Sequence, residues 1–127
     1  MDENRVIIAG SRSITDYSVV ETAIAASGFD IDEVVSGRAD GVDTLGERWA
    51  SEHDVPISMF PYSDFEDGSN GKPAPLVRND AMAEYATALV AVWDGSSSGT
   101  EYMIDAARRE GLDVYVYRTD TFRLDQF

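Results

Sequence analysis

A three-layer α/β/α domain built on a five-stranded parallel sheet is the fold this sequence predicts. Three observations carry the prediction. Short apolar runs alternate with segments of helical periodicity, the pattern of βαβ units with right-handed crossovers. Two of the runs, V-I-I-A-G at 6–10 and A-L-V-A-V-W at 88–93, are apolar without alternation, as strands covered on both faces are. Several runs lead into turns rich in Gly, Ser and Asp, the residues that strand-to-helix turns and helix caps favour. At 127 residues the chain has room for one domain, spanning 1–127.

Taken in order, Arg5 to Gly10 is the first strand. Asp16 to Ser27 follows as a helix with Val19, Val20, Ala23 and Ile24 on one face, and Gly28 closes it. Glu33 to Ser36 is a short second strand. Val42, Leu45 and Trp49 mark one face of a second helix that ends near His53. Val55 to Phe60 is a third strand, and Pro56, which cannot donate to a ladder, assigns it to a sheet edge. Pro61 to Pro75 reads as a long loop, and a loop of that length in a small domain is functional or mobile. Leu76 to Ala86 is a third helix with Leu76, Val77, Met82 and Tyr85 turned inward. Ala88 to Trp93 is the fourth strand, Gly99 to Arg109 the fourth helix, ended by Gly111, and Val114 to Tyr117 the fifth strand. Asp120 to Phe127 has no readable pattern. With strand three at an edge the order is 3-2-1-4-5, so the winding reverses between strands one and four. Ligands in such sheets lie at the carboxyl ends of the strands, in the crevice at that reversal.

Composition narrows the function. There are 24 acidic residues against 10 basic ones, a formal net charge of −14, and Lys72 is the only lysine. A surface this acidic repels phosphate backbones, so sequence-independent nucleic-acid binding is not expected. Charge of this size strains the compact state by self-repulsion, which molar salt removes, so the surface reads as adapted to high internal salt in a halophilic source, with an ordinary acidic mesophilic protein as the alternative. No apolar run approaches the ~20 residues of a membrane helix. The acidic start M-D-E-N leads directly into a strand, unlike a signal peptide. Without cysteine there is no disulfide, thiolate metal site or cysteine nucleophile, and the cytoplasm is the expected compartment.

Three turns at one edge of the sheet are candidates for ligand contact: Gly10-Ser11-Arg12-Ser13, Ser36-Gly37-Arg38-Ala39-Asp40-Gly41-Val42-Asp43, and Asp94-Gly95-Ser96-Ser97-Ser98-Gly99-Thr100. Glycine lets the backbone approach a ligand, and the helix N-terminus that follows offers unpaired N–H groups to an anion. Each turn alone is also what any strand-to-helix connection wants; the set of three is what points to a ligand. Arg12, Arg38, Lys72 and Arg78 fall in or beside segments facing the same crevice, as phosphate binding requires. G-S-S-S-G at 95–99 matches a nucleophile elbow centred on Ser97, but the only histidine, His53, precedes it, contrary to the order of that fold. The sequence has no H-E-x-x-H, no metal-spaced cluster, no P-loop and no G-x-G-x-x-G. No metal and no cofactor are expected.

Read together, V-I-I-A-G-S-R (6–12), S-G-R-A-D-G-V-D (36–43), G-K-P-A-P-L-V-R-N-D-A-M (71–82) and W-D-G-S-S-S-G-T (93–100) resemble the YspA/YpsA-related branch of the SLOG superfamily. The resemblance runs from about Val6 to Tyr117 and implies a Rossmann-like fold that binds nucleotides or nucleotide-derived signals. The LOG-type cousins are phosphoribohydrolases that split a nucleoside monophosphate, usually as dimers, so a homodimer or higher homo-oligomer is an expectation by analogy. Those cousins carry P-G-G-x-G-T-x-x-E. Gly99-Thr100 matches the G-T pair, while Met103 occupies the position of the catalytic glutamate and Glu101 lies two residues away, pointing elsewhere on the helix. Arg78 resembles the cousins' catalytic arginine, with Asn79 beside it instead of lysine.

Three functions remain open on this reading. In the first, phosphate of a nucleotide-derived molecule lies against Ser96, Ser98, Gly99 and Thr100. Gly10, Ser11 and Arg12 close the crevice, Arg78 and Lys72 neutralise charge, and Asp43 or Asp94 receives a ribose hydroxyl; Ser36, Gly37, Asn79 and Gly95 complete the set. In the second, the protein hydrolyses a nucleotide N-glycosidic bond using Asp43, Asp94 or Glu101 with Arg78. In the third, the fold assembles without a ligand.

Overall fold

The computed structural model describes residues 3–120. Five strands, β1 (Arg5–Gly10), β2 (Glu33–Ser36), β3 (Ile57–Met59), β4 (Ala88–Trp93) and β5 (Asp113–Arg118), form one sheet in the order β3-β2-β1-β4-β5, and every pairing is parallel. Four helices connect them: α1 (Tyr17–Ser27), α2 (Val42–Glu52), α3 (Ala74–Tyr85) and α4 (Ser98–Arg109). The architecture and strand order are those expected from the sequence.

The central strands explain why the sequence was readable. Successive side chains of a strand point to opposite faces, so Ile7, Ala9, Leu89 and Ala91 pack with Met82, Ala83 and Met103 from α3 and α4. Val6, Ile8, Val90 and Val92 pack on the other face with Val20, Ala23 and Ile24 from α1 and Val42 and Ala50 from α2. Val6, Ile7 and Ile8 are wholly buried, as are Leu89 to Val92. Each Val, Ile or Leu side chain among these contributes about 1.5–3 kcal/mol by leaving water. Asp16 caps α1, its carboxylate accepting the Ser18 N–H, and Gly28 ends it in the left-handed region at φ 71°. Among the described residues no helix is long and apolar enough to cross a membrane.

Several boundaries and orientations depart from expectation. β3 is only Ile57–Met59; Pro56 stands just before it, where its carbonyl accepts the Val34 N–H, and the strand is at the edge as its proline implies. The expected loop 61–75 holds two short 3-10 turns, Tyr62–Asp64 and Ser69–Gly71, and yields its last two residues to α3. Proline belongs in a first helical turn, where its missing N–H has no partner to lose, so Pro75 opens the helix instead of delaying it. The inward stripe of α3 is Arg78, Asn79, Met82 and Ala83; of the expected Leu76, Val77, Met82 and Tyr85 only Met82 belongs to it. Leu76 and Val77 are half-buried near the helix start. Tyr85 is exposed and turns to the sheet margin, where its hydroxyl donates to Glu33 and the Arg5 guanidinium lies 4.9 Å from its ring centre. Two polar residues on a predicted apolar face are what periodicity cannot anticipate. Of the expected tail, residues 121–127 lie outside the described residues.

Candidate functional site

A cleft of about 440 Å³ opens at the carboxyl ends of β1 and β4, where the winding reverses. Its floor is Ala9 and Gly10 at the end of β1; Arg12 stands on the turn that follows. Ala39 and Asp43 enter from the turn after β2 and the first turn of α2. α3 contributes Arg78 and Asn79, with Pro75, Leu76 and Met82 as an apolar wall. The fourth side is the start of α4, with Ser97, Ser98, Gly99, Thr100 and Met103.

The α4 end is prepared by local bonds. Asp94 folds the turn on itself, its Oδ1 accepting the Ser96 and Ser97 N–H groups at 2.9 and 2.8 Å. These bonds hold its carboxyl below the ordinary carboxylate range. Ser97 is the cap residue, and its carbonyl takes the first helical bond from Glu101 at 3.1 Å. The N–H groups of Ser98, Gly99 and Thr100 then have no partner among the described residues, as in any first helical turn. They edge the cleft with the positive end of the helix dipole.

Opposite lies a buried pair of unlike charges. Asp43 is 5% exposed and Arg78 7%. Gly37 sits between them: a side chain there would meet Arg78 Nη1 and Asp43 Oδ2, so only glycine leaves room for both. Arg78 is anchored by carbonyls. Its Nη1 donates to Gly37 O and, at 3.3 Å, to Phe60 O, and its Nε donates to Asn79 Oδ1 at 2.8 Å. Burial lowers the arginine's affinity for its proton; Asp43 opposes this and Arg12 reinforces it. Guanidinium nonetheless stays ionised at any ordinary pH. The Asp43 carboxyl is pushed up to about 6 by burial, against the pull of the Ala39 N–H, of Arg78 and of the Gly10 N–H. Arg12 is exposed and has no ion-pair partner among the described residues, while Arg38, Arg48, Arg118 and Lys72 are each paired with a carboxylate.

The structure thus brings together Gly10, Arg12, Asp43 and Arg78 with Asn79, Ser98, Gly99 and Thr100 from the residues singled out in the sequence. The others stand elsewhere. Ser11 is buried under the floor, where its hydroxyl accepts the Asp94 N–H at 3.1 Å. Ser36, also buried, donates to Glu47 Oε2 at 2.6 Å, and Arg38 pairs with the same glutamate at 2.9 Å. Lys72 is held by Asp80 at 2.9 Å on the outer face of α3 and α4. Gly95 packs on Arg118 and Asp120, and Glu101 is exposed on α4. Reading the sequence overlooked the wall of Pro75, Leu76 and Met82, because apolar residues on a helix are assigned to the core by default. Among the described residues no three carboxylate or histidine side chains gather to hold a metal ion.

Residues 4–63 match the sequence model of the YspA, cpYpsA-related SLOG family. Over that stretch, less than half of its length, the chain is similar to this SLOG family. The matched stretch carries Gly10, Arg12 and Asp43; Arg78 and the α4 turn lie beyond it. No curated protein matches the sequence. Among solved structures, the chain is similar to DNA processing protein A (DprA) from Streptococcus pneumoniae, with a TM-score of 0.67 and 19% identity over 90% of this chain. It spans 50% of that DprA chain, and the likeness establishes the Rossmann-like fold.

Proposed function

We propose that this protein binds a nucleotide or nucleotide-derived small molecule through its phosphate in the cleft between β1 and β4. One observation carries the reading: two guanidiniums, Arg12 and Arg78, and the first N–H groups of α4 face a single cleft in a protein of net charge −14. An acidic protein that keeps an arginine unpaired among the described residues, and a buried one beside a helix N-terminus, has a local site for an anion. Asp43 then receives a sugar hydroxyl, since Asp94 is engaged in its own turn. Sequence-independent DNA contact is not part of this reading, because the acidic surface opposes it. We place the protein in the cytoplasm.

The test is a thermal-shift screen in molar KCl against nucleoside phosphates, NAD and ADP-ribose derivatives. A ligand at a hundred times its Kd adds about 2.7 kcal/mol, a rise of several degrees for a domain of this size. Arg12→Ala is expected to remove that shift while leaving the unliganded melt unchanged. Gly99→Ala separates stability from binding. An added Cβ there meets nothing within 4 Å, so alanine is tolerated and favours the helix by about 0.5–1 kcal/mol. The same methyl stands at the anion end of the cleft, and weaker ligand binding at an equal or higher melting temperature is the expected result. A screen in which no compound moves the folded protein overturns the reading.

Asp43 favours a second reading. A carboxyl raised to about 6 in a cleft, next to an arginine, has the character of a catalytic group. Ionised, it could stabilise the positive charge that N-glycosidic cleavage develops on the sugar, the role left open where Met103 stands. Base release from a nucleotide should then rise through pH 6 and vanish in Asp43→Asn. Absence of release across the same panel overturns this second reading and leaves the first standing.

A further inference from the structure

The turn that presents the α4 N–H groups is held from a direction the cleft does not show. Trp93 and Arg118 are register partners at the ends of β4 and β5. The Arg118 guanidinium lies 4.7 Å from the centre of a Trp93 ring. It is fixed in that plane by Asp120, whose two oxygens accept from Nε at 2.7 Å and Nη2 at 2.6 Å. The Trp93 indole N–H in turn donates to the Ser97 carbonyl at 3.0 Å, the same oxygen that takes the first helical bond of α4. Thr119 N–H closes the arrangement on the Trp93 carbonyl at 2.9 Å. Gly95, at φ 84°, has Arg118 and Asp120 where a side chain would stand. None of Trp93, Arg118 and Asp120 lines the cleft.

We propose that Trp93, Arg118 and Asp120 form a clamp that positions the turn from β4 to α4 and so sets the direction in which the Ser98, Gly99 and Thr100 N–H groups meet a ligand. They are positioning residues, acting through Ser97. The fork of Arg118 on Asp120 orients the guanidinium and the guanidinium seats the indole. The indole then fixes the capping carbonyl. A helix N-terminus recognises an anion only if its N–H groups converge, and small misplacement of a binding group is costly. The effect on binding rests on the anion reading above; the effect on the turn does not.

Three variants test it, Arg118→Gln, Asp120→Asn and Trp93→Phe, the last keeping a smaller aromatic ring beside Arg118 while removing the indole N–H together with its five-membered ring. Two measurements are made on each, hydrogen exchange at the Ser97 and Glu101 amides and calorimetric titration with inorganic phosphate. The clamp predicts exchange faster by about tenfold at both amides, unchanged exchange in β1, and a melting temperature near that of wild type. It also predicts phosphate binding weaker by about tenfold to a hundredfold, which a role in overall stability alone would not produce. Arg118→Lys, which keeps the charge but cannot form the fork, should not restore binding. Unchanged exchange at Ser97 and Glu101 in all three variants overturns the clamp. Faster exchange in a protein whose wild type takes up no phosphate supports the clamp and instead overturns the anion site.

Discussion

Asp43→Asn is expected to melt higher than wild type at pH 7.5, by about 10 °C, and to melt with it near pH 3.5. The buried carboxyl has a folded-state value of about 6 against 3.8 for an unfolded chain, so the native state holds the proton more tightly. Its contribution to stability is therefore complete below 3.8 and is lost as pH rises through 6. Above 6 the ionised, desolvated carboxylate costs up to about 3 kcal/mol, the equivalent of that displacement. Asparagine fits the same space without the charge and removes the cost. For a domain of this length about 3 kcal/mol is on the order of 10 °C in melting temperature. Melts of the two proteins between pH 3.5 and 8 measure the difference directly, and other groups cancel because both proteins carry them. A difference independent of pH, or an asparagine variant that melts lower at pH 7.5, contradicts the assignment. Under the proposed function the stabilised variant should also lose ligand, the pattern expected where a costly charge is retained for use.

Gly10→Val is expected to abolish cooperative folding. Gly10 is opposite Val92 in the β1–β4 register, and any Cβ at this position overlaps the Val92 carbonyl oxygen and comes within 2.8 Å of a Val42 methyl group. The oxygen is backbone in a fully buried strand and already accepts the Ser11 N–H at 3.1 Å, so neither partner can move away cheaply. Overpacking a filled core costs about 1–3 kcal/mol, and a collision with backbone in the central strand pair lies above that range. Such a loss consumes much of the about 5–15 kcal/mol by which a domain is held. Loss of the melting transition in circular dichroism is the expected reading; a cooperative melt within a few degrees of wild type contradicts the packing. Gly99→Ala serves as the contrast, since the same added methyl meets open space there.

The two substitutions separate what local sequence carries from what the assembled molecule decides. The strands of this protein were legible because V-I-I-A and A-L-V-A-V-W are covered on both faces, and continuous burial leaves no polar positions to confuse the pattern. The strand order was legible from one residue, since Pro56 has no N–H for an inner ladder. The place of the cleft followed from the order alone, because the reversal of winding between β1 and β4 parts the helices there.

The membership of the cleft did not follow. Asp, Ser and Gly serve turns and ligands alike, so composition cannot say whether Asp94 binds a molecule or folds its own backbone; its bonds to the Ser96 and Ser97 N–H groups do. Lys72 looked free for phosphate until the packing of α3 beside α4 set Asp80 against it. The position of Arg78 in the sequence placed it beside the crevice but did not show that it is buried there: the chain after β2 and β3 supplies the carbonyls that hold its guanidinium. Asp43 acquires its raised pKa only when β1, α2 and α3 close around it. By itself the sequence determined the strands, their order and the edge at which the cleft opens, because those depend on the polarity of neighbours along the chain. Only the tertiary structure decided which charges face the cleft and which are spent on the protein itself, because hydrogen-bond partners and desolvation come from residues distant in sequence.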